Sequence, residues 1–389
     1  MRVRSGLAGV VAAVSVTAGA TEERNWSRVW GSASNDHARA VAYDADTNLY
    51  VAGYTEDAFH GATNPGIKCA TLTCWDRNGT RRWTRLWGPP GSYAEAYDVA
   101  VNRDGAIYVT GQTWGPMDGQ NAVGNGDFFL SRFDAAGTRV WTRIWGSASS
   151  DGGRGIATFD GTKVFVAGSA RGSVYGQPHV NRDDFCLSKF DADGNHVWTR
   201  MWGAVNALVG YEGANDVAVD PVGNVYVAGF SDASVDGQPF AGTFDIVLTC
   251  FTAAGVKNWT RMWGGTGTDK GCGVAVDAAD RVYVVGSGGS FNGQMAVGST
   301  DPFLMRVETN GTPAWTRLWG STQGDYGWGV AADGSGGVFV VGQAPYGYTF
   351  DGQDGYGGGA YLTRFTADGV KQWTKRWGVA NTEDRKSVV

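Results

Sequence analysis

The side chains best suited to binding chemistry in this chain are aromatic, basic and imidazole groups that occur singly rather than in every copy of an internal repeat. They fall in polar segments of variable length between short apolar runs. Non-repeated aromatic rings beside polar groups are typical of sites that bind a carbohydrate or a protein. The residues from which we predict a ligand site are His37, His60, Tyr93, Trp114, Arg154, Tyr211, Lys270, Tyr326 and Trp328. The alternative is that each ring packs under its own loop.

Catalytic chemistry has little support in the sequence. The four histidines are scattered, and there is no Gly-x-Ser-x-Gly, no His-Glu-x-x-His and no Cys/His cluster. We therefore predict no catalytic residue, no metal ligand and no cofactor, and a binding module rather than an enzyme. A lyase or hydrolase whose site is assembled from several repeats is the alternative.

Acidic residues recur five positions before the first apolar residue of a repeated run. They are Asp36, Asp151, Glu212, Asp269, Asp325 and Glu383. Such a set could form a ring of carboxylates that binds cations. It could instead be structural, with each carboxylate accepting hydrogen bonds from loop amides or pairing with a repeated arginine. Because the acid occurs in nearly every repeat, we favour the structural interpretation.

The repeat itself is clearest in a six-residue segment, Trp-(Ser/Thr)-(Arg/Lys)-x-Trp-Gly. Seven copies, 56 to 61 residues apart, begin at Trp26, Trp83, Trp141, Trp198, Trp259, Trp315 and Trp373. On a β-strand the two tryptophans and the basic residue between them share one face. We predict an outer strand whose Trp-Arg-Trp face packs on the next sheet, with the guanidinium within cation–π reach of the indoles.

Short β-branched and aromatic runs, bounded by Gly, Asp and Asn, occupy the rest of each repeat. In the second unit they predict strands at 98–101, 107–111, 127–133 and 141–145, joined by turns and one long loop at 112–126. No segment has a convincing helical period. Four-stranded units at this spacing predict an all-β fold, a β-propeller of antiparallel blades. The long, variable loops should share one face of the propeller, and binding sites are usually built on such loops.

Each unit also carries the consensus Asp-x-Phe-Leu-x-(Lys/Arg)-Phe-Asp-x-x-Gly, then the Trp strand, then (Ala/Val)-Val-x-Asp-x-x-Gly-x-(Val/Ile)-Tyr-Val-x-Gly. This pattern resembles the bacterial and archaeal SBBP repeat, named after the seven-bladed β-propeller, over about residues 26–389. The resemblance implies a propeller in an exported or cell-surface protein. It transfers no catalytic residue to this chain.

Both ends of the repeat region differ from a complete unit. A lone outer strand at 26–30 precedes the first unit, and residues 378–389 align without gaps with residues 31–42. We therefore predict six complete blades plus parts of a seventh, with a ring closed by six blades as the alternative.

Residues 1–20 have the features of a secretory signal, namely the basic start MRVR, an apolar run and Ala18-Gly19-Ala20. We predict a signal peptide at 1–20, a propeller at 21–389 with a period of about 58 residues, and a secreted or cell-surface location. No other segment is long and apolar enough to span a membrane. The net charge of −6 and the lack of a basic run argue against nucleic acid as a partner. The five cysteines are predicted to be buried apolar residues outside any disulfide.

The resulting functional hypothesis is a non-enzymatic module that binds a protein or a glycan through its long-loop face. The alternatives are a structural segment of a larger surface protein and the lyase or hydrolase considered above.

Overall fold

The structure is a computed structural model that describes residues 26, 28–205, 210–353 and 359–378. Its 24 strands form six antiparallel four-stranded sheets, so the chain is a six-bladed β-propeller. Blade 1 contains β1 (Asp36–Tyr43), β2 (Leu49–Thr55), β3 (Cys69–Trp75) and β4 (Arg81–Trp87). Blade 2 contains β5 (Ala94–Val101), β6 (Ile107–Thr113), β7 (Asp127–Phe133) and β8 (Arg139–Trp145). Blade 3 contains β9 (Asp151–Phe159), β10 (Lys163–Ala170), β11 (Asp184–Asp191) and β12 (His196–Trp202).

The remaining three blades repeat this organisation. Blade 4 contains β13 (Glu212–Val219), β14 (Val225–Ser231), β15 (Asp245–Phe251) and β16 (Lys257–Trp263). Blade 5 contains β17 (Lys270–Val276), β18 (Val282–Gly288), β19 (Asp301–Val307) and β20 (Pro313–Leu318). Blade 6 contains β21 (Tyr326–Ala332), β22 (Gly337–Ala344), β23 (Gly359–Thr366) and β24 (Lys371–Gly378). The predicted fold class is thus confirmed, and six is the number of four-stranded blades in the described part of the chain.

The cores lie between blades rather than within them. The first strand of each blade contacts the first strand of the next blade in the series from blade 1 to blade 6. Each of these five interfaces contains one apolar cluster with buried side chains from both blades. Since a single sheet cannot bury its own faces, each blade depends on its neighbours for stability.

Every first strand is interrupted by a β-bulge at the same place. In blade 1 the bulge lies between Ala38 and Ala40 and is opposite Gly53 of the repeated Tyr-Val-x-Gly segment. A Cβ atom on Gly53 would lie 1.8 Å from the carbonyl oxygen of His37. Equivalent bulges occur in the other five blades. The glycine is therefore required because the bulged backbone occupies the space of its side chain.

The Trp-Arg-Trp strand is the outer strand, as predicted, and it contacts the next blade. Arg143 in blade 2 donates hydrogen bonds to the main-chain carbonyls of Gly194 and Asp193, both in the β11–β12 turn of blade 3. The guanidinium carbons of the repeated arginines lie 5.0–5.9 Å from the ring of the first tryptophan. The second tryptophan instead packs on the aromatic core of the interface, as Trp145 does on Phe190 at 4.6 Å. The predicted cation–π contact of the guanidinium is therefore observed with the first tryptophan of each motif. The guanidinium does not lie between the two indoles.

The predicted outer strand at 26–30 contacts blade 1 in the same way. Trp26 donates from Nε1 to the carbonyl of Arg77, and Arg28 donates from Nε to the carbonyl of Gly79. Trp30 packs on Trp75 with ring centroids 5.0 Å apart. Residues 1–25, which include the predicted signal peptide, and residues 379–389, the other predicted part of a seventh blade, lie outside the described residues.

The strand bounds of blade 2 and the state of the cysteines were also predicted from the sequence. Strand β7 has the predicted bounds, whereas the first strand of blade 2 begins earlier than predicted because Ala94 and Glu95 pair with Thr113 and Gln112. All five cysteines lie in the described residues, where they are buried and form no disulfide, which confirms their predicted state. No helix that could cross a bilayer occurs in the described residues.

Candidate functional site

One side chain per blade is set apart by the bulge of the first strand. The extra residues in these bulges are Arg39, Tyr97, Arg154, Asn215, Cys272 and Trp328. A bulge bends the strand and redirects a side chain, and bulges are common beside active sites. Because the first strands of successive blades adjoin one another, the bulges place six side chains of five chemical types in one ring. We call these six residues the bulge ring.

Three successive members of the bulge ring, in blades 1 to 3, are in contact. Arg39 and Arg154 lie over the ring of Tyr97, at 5.5 Å and 4.2 Å from its centroid. The hydroxyl of Tyr97 donates to Glu95, which also accepts from Lys68 at 2.7 Å. Burial, more than the nearby Glu95, raises the pKa of Tyr97 to about 12, so the phenol stays protonated at neutral pH. The result is a band of cations and aromatic rings across blades 1 to 3.

The bulge ring borders a cleft of about 450 Å³ between blades 2 and 5. Three of the nine predicted site residues, Arg154, Tyr211 and Lys270, line it together. The ammonium of Lys270 lies between two rings, 4.4 Å from Phe230 and 4.2 Å from Phe244. Burial lowers the pKa of Lys270. The other side chains of the cleft are Gln112, Ser150, Asp151, Ser169, Arg171, Asp183, Glu212 and Asn215.

Each acidic group of the cleft has an ion-pair partner, hydrogen-bond donors or a raised pKa. Arg171 and Asp183 form an ion pair at 2.5 Å. Asp151 accepts from the hydroxyl of Ser147 and the amide of Arg171. Burial raises the pKa of Glu212 to about 8, so this carboxyl group carries a proton at neutral pH. In contrast, no hydrogen-bond acceptor contacts the cationic ends of Arg154 and Lys270 within the described residues, so the cleft presents uncompensated positive charge.

The repeated acids have the structural role that we favoured. Asp36, Glu212, Asp269 and Asp325 each accept a hydrogen bond from a backbone amide four to eight residues earlier in the chain, as does Asp151. The repeated arginines bind turn carbonyls instead, so the second structural option, pairing with arginine, is wrong. Glu383 lies outside the described residues. No group of three or more His, Cys, Asp and Glu side chains suited to a metal ion occurs in the described ranges.

These acids explain the glycine of the Trp-Gly pair. A Cβ atom on Gly203 would lie 2.2 Å from Oε2 of Glu212 and 2.9 Å from Oδ1 of Asp184. Carboxylates from two blades therefore converge on the space that a side chain would fill. The same arrangement surrounds Gly146, Gly264 and Gly320.

The other six predicted residues lie apart from the cleft. Tyr93, 41% exposed, packs edge-on against Trp114 with centroids 6.2 Å apart. Tyr326, also 41% exposed, stacks on Trp328 at 5.5 Å. His37 stacks on Tyr54 at 4.5 Å, so the alternative of packing against a neighbouring ring applies there. His60 lies at the outer side of blade 1, where its Nδ1 is 3.0 Å from Oγ1 of Thr84.

Several cleft residues were missed by the sequence analysis. Arg171 follows the second strand of its blade, at a position that holds Glu56, Trp114 and Asp232 in other blades. Asp183 precedes the third strand, at a position that holds Lys68, Gly126 and Phe244 in other blades. Comparing each repeat position across the six units, rather than looking for aromatic residues, would have identified both. Arg39 and Tyr97 could have been found in the same way from the position of Arg154.

Comparison with known proteins supports the fold. No family model matches the chain, so the resemblance to the SBBP repeat remains a prediction. The regulatory protein FlaEY of Caulobacter vibrioides is 26% identical over 244 residues, which are 59% of this chain and 24% of that protein. The chain therefore matches about a quarter of that relative's length.

Among solved structures, BamB from Moraxella catarrhalis matches with a TM-score of 0.44 and 14% identity, covering 97% of this chain and 87% of BamB. A polysaccharide lyase of family PL25, an ulvan lyase, matches with a TM-score of 0.50 and 9% identity, over 86% of this chain and 82% of the lyase. The α-L-arabinofuranosidase Arb93A from Fusarium graminearum matches with a TM-score of 0.47 and 10% identity, over 84% of this chain and 92% of the arabinofuranosidase. At 9% identity the match to the lyase bears on the fold alone.

Proposed function

We propose that the protein is a binding module that takes an anionic carbohydrate into the cleft between blades 2 and 5. The observation that carries this proposal is the state of Arg154 and Lys270. Both cationic groups rest on aromatic rings, and neither has a hydrogen-bond acceptor in the described residues. A carboxylate or sulfate on a sugar would supply that acceptor. Charge-assisted hydrogen bonds of this kind are stronger than those between neutral groups.

The neutral parts of the cleft suit a sugar ring. The cleft lining combines the aromatic rings of Tyr211, Phe230 and Phe244 with the amide and hydroxyl groups of Gln112, Ser169 and Asn215. A few polar groups placed among aromatic rings is the usual composition of a small-ligand site. Protonated Glu212 adds no negative charge, so an anionic ligand meets no net repulsion from it.

Isothermal titration calorimetry with an oligomer of a uronic acid tests this proposal. We expect saturable binding to the full chain that weakens at least about tenfold in Arg154→Gln and in Lys270→Gln. The matched control is Arg103→Gln, because Arg103 lies in the exposed β5–β6 turn on the opposite face of the propeller. A neutral oligosaccharide of the same length should bind much more weakly. Equal binding of both oligomers, or unchanged affinity in both cleft variants, would refute the proposal.

An acid–base enzyme acting in the same cleft is the second candidate. It is favoured by the presence of a lysine with a lowered pKa and a glutamic acid with a raised pKa in one cavity. Environments that shift two titratable groups in this way are typical of acid–base sites. Chain cleavage of a uronic acid polymer, followed by the absorbance of unsaturated ends and by new reducing ends, distinguishes the two. Cleavage that is lost in Lys270→Gln would favour the enzyme, and binding without cleavage favours the module.

We propose in addition that the protein is exported, with residues 1–20 as the signal peptide. The basic start, the apolar run and the Ala-Gly-Ala site support this. N-terminal sequencing of material recovered outside the cell should find Thr21 as the first residue. Recovery of the protein only from the cytoplasm with Met1 retained would contradict it.

A further inference from the structure

The hairpin at the tip of the long loop contacts the outer strand of its own blade at an equivalent place in all six blades. Each tip has one non-glycine residue in the left-handed region, with φ between 49° and 55°. These residues are His60, Asp118, Tyr175, Asp236, Asn292 and Asp351. Each tip faces the outer-strand residue that lies two positions before the first tryptophan. From blade 1 to blade 6 these residues are Arg81, Arg139, His196, Lys257, Pro313 and Lys371.

In five blades the two positions are chemically matched. Lys257 pairs with Asp236 at 2.6 Å, and Arg139 with Asp118 and Lys371 with Asp351 form equivalent ion pairs. In blade 3 the rings of Tyr175 and His196 stack at 3.6 Å. In blade 5 Asn292 donates to Thr316 at 3.3 Å beside a proline. A basic residue on the outer strand is thus accompanied by aspartate, and an uncharged one by a neutral partner.

Blade 1 breaks this rule, because His60 faces Arg81. No carboxylate pairs with Arg81 in the part of the chain that the structure describes. Burial, and after it the charge of Arg81, lowers the pKa of His60. Two further basic residues, Arg82 and Arg85, belong to the same groove, which has a volume of about 530 Å³. The groove lining contains no acidic residue.

We propose that this groove is a second binding site, specific for a tetrahedral oxyanion such as a phosphate or a sulfate group. The anion would lie beside His60 and Arg81 and supply the negative charge that the tip aspartate supplies in blades 2, 4 and 6. A guanidinium offers two parallel donors that fit a phosphate or sulfate oxygen pair. The site is separate from the cleft and does not depend on the carbohydrate proposal.

The charges around the groove agree with a small anion. Arg85 already donates to the carbonyls of Gly137 and Ala136 in blade 2, so it contributes charge rather than a free donor. Arg82 acts electrostatically on the exposed carboxylate of Asp76, which also accepts from the amides of Thr80 and Asn78. Arg81 is therefore the arginine of the groove with neither a carboxylate nor a carbonyl partner in the described residues, and His60 lines the same groove.

Side-chain NMR of the histidines tests the site directly, since the chain has only four. Inorganic phosphate and sulfate are titrated separately into the full chain at fixed pH and ionic strength, with chloride as the balancing ion. We expect a saturable shift at His60, and a rise in its apparent pKa when the anion is bound. The resonance is assigned from its loss in His60→Gln. A larger response to phosphate or to sulfate identifies which oxyanion the site prefers.

Two substitutions make the test specific. His60→Asp restores the pairing of the other blades and should weaken anion binding at least about tenfold by calorimetry. Asp236→His in blade 4 creates the same mismatch with Lys257 and should add a second binding equivalent. Asp104→His, in an exposed turn, is the matched control and should add none. The proposal is overturned if His60 shows no saturable shift, if chloride gives the same shift, or if His60→Asp binds as tightly as the natural chain.

Discussion

Arg85 of blade 1 donates a hydrogen bond from Nε to the carbonyl of Gly137 in blade 2, at 2.7 Å. Arg143, Arg200 and Arg317 make the same bond to Gly194, Gly255 and Gly369. Each arginine thus satisfies a turn carbonyl of the next blade with a charged donor. The repeated basic residue is consequently a connector between blades.

Replacement of Arg143 should therefore weaken the interface between blades 2 and 3. Arg143→Met removes bonds to Gly194, Asp193 and Thr142 and leaves the turn carbonyls without this donor. We expect a loss of about 2–3 kcal/mol in the free energy of unfolding, measured by denaturant titration. Arg143→Lys keeps the charge and should lose less. Arg103→Met, in an exposed turn, is the control and should change stability by less than about 0.5 kcal/mol. Equal effects of the Arg143 and Arg103 substitutions would contradict this role.

The two tryptophans of each motif should differ in their effect on stability. Trp145 is buried, stacks on Phe128 at 5.2 Å and contacts Phe190, whereas Trp141 is half-buried. Trp145→Ala should cost about 3–5 kcal/mol, the range for removing a large buried aromatic group. Trp141→Ala should cost less, since part of its ring is already in water. A larger loss for Trp141 than for Trp145 in the same titration would be inconsistent with this packing.

The glycine after the second tryptophan should be replaceable only where no carboxylates converge on it. Gly203→Ala brings a methyl group against Glu212 and Asp184 and should cost about 1–3 kcal/mol, the usual range for overpacking. Gly88 has the same place in blade 1, but a methyl group there would have the Cβ atoms of Ala94 and Cys69 as its nearest neighbours, each 3.3 Å away. Gly88→Ala is the matched control and should cost clearly less. Similar melting temperatures for the two variants would show that the carboxylates readily move aside.

Much of this architecture follows from the sequence, because glycine and aspartate mark every turn and the strands between them are short. The blades, the outer Trp strand and the buried cysteines were all predicted. The bulge ring was not, because a one-residue bulge changes which side chain leaves the sheet without changing the apolar pattern. The cleft was predicted only through Arg154, Tyr211 and Lys270. Sequence shows which residues depart from the repeat, but the convergence of Arg171, Asp183 and Lys270 depends on how loops of different blades approach each other.

Three buried carboxyl groups, Glu212, Asp245 and Asp325, should lose their contribution to stability as the pH rises. Burial raises the pKa of Glu212 to about 8 and those of Asp245 and Asp325 to about 6. The folded state then binds these protons more tightly than the unfolded state, so their contribution is fully present below the unfolded pKa and is lost as pH rises through the folded pKa. For Glu212 this window runs from its ordinary pKa of 4.5 to about 8. The slope for one such group is at most about 1.4 kcal/mol per pH unit.

Glu212→Gln isolates the contribution of this residue. The amide keeps the shape of the protonated acid, and its oxygen can accept from Ala204 and Ser231 as Oε1 of Glu212 does. We expect the variant to match the natural chain near pH 4.5 and to exceed its unfolding free energy at pH 9. Glu308→Gln, at an exposed position, is the control and should leave the pH profile unchanged. A profile in Glu212→Gln that is parallel to that of the natural chain would contradict the prediction.

The segment at 26–30 should stabilise blade 1 by covering its outer apolar face. Trp26 and Trp30 pack against Val41, Val51 and Trp75, all three of which are buried. A chain that begins at Gly31 would expose these side chains and lose two hydrogen bonds to the β3–β4 turn. We expect its unfolding free energy to fall by about 2–5 kcal/mol, as for other losses of large buried contacts.

A chain that begins at Thr21 is the matched control, since it lacks the predicted signal but retains Trp26 and Trp30. It should have the stability of the natural chain. The shorter chain should also associate at high concentration in sedimentation experiments, because an uncovered apolar sheet face promotes contact between copies. If the chain beginning at Gly31 melts at the same temperature as the control and remains monomeric, the six four-stranded blades are sufficient and the segment at 26–30 is dispensable for stability.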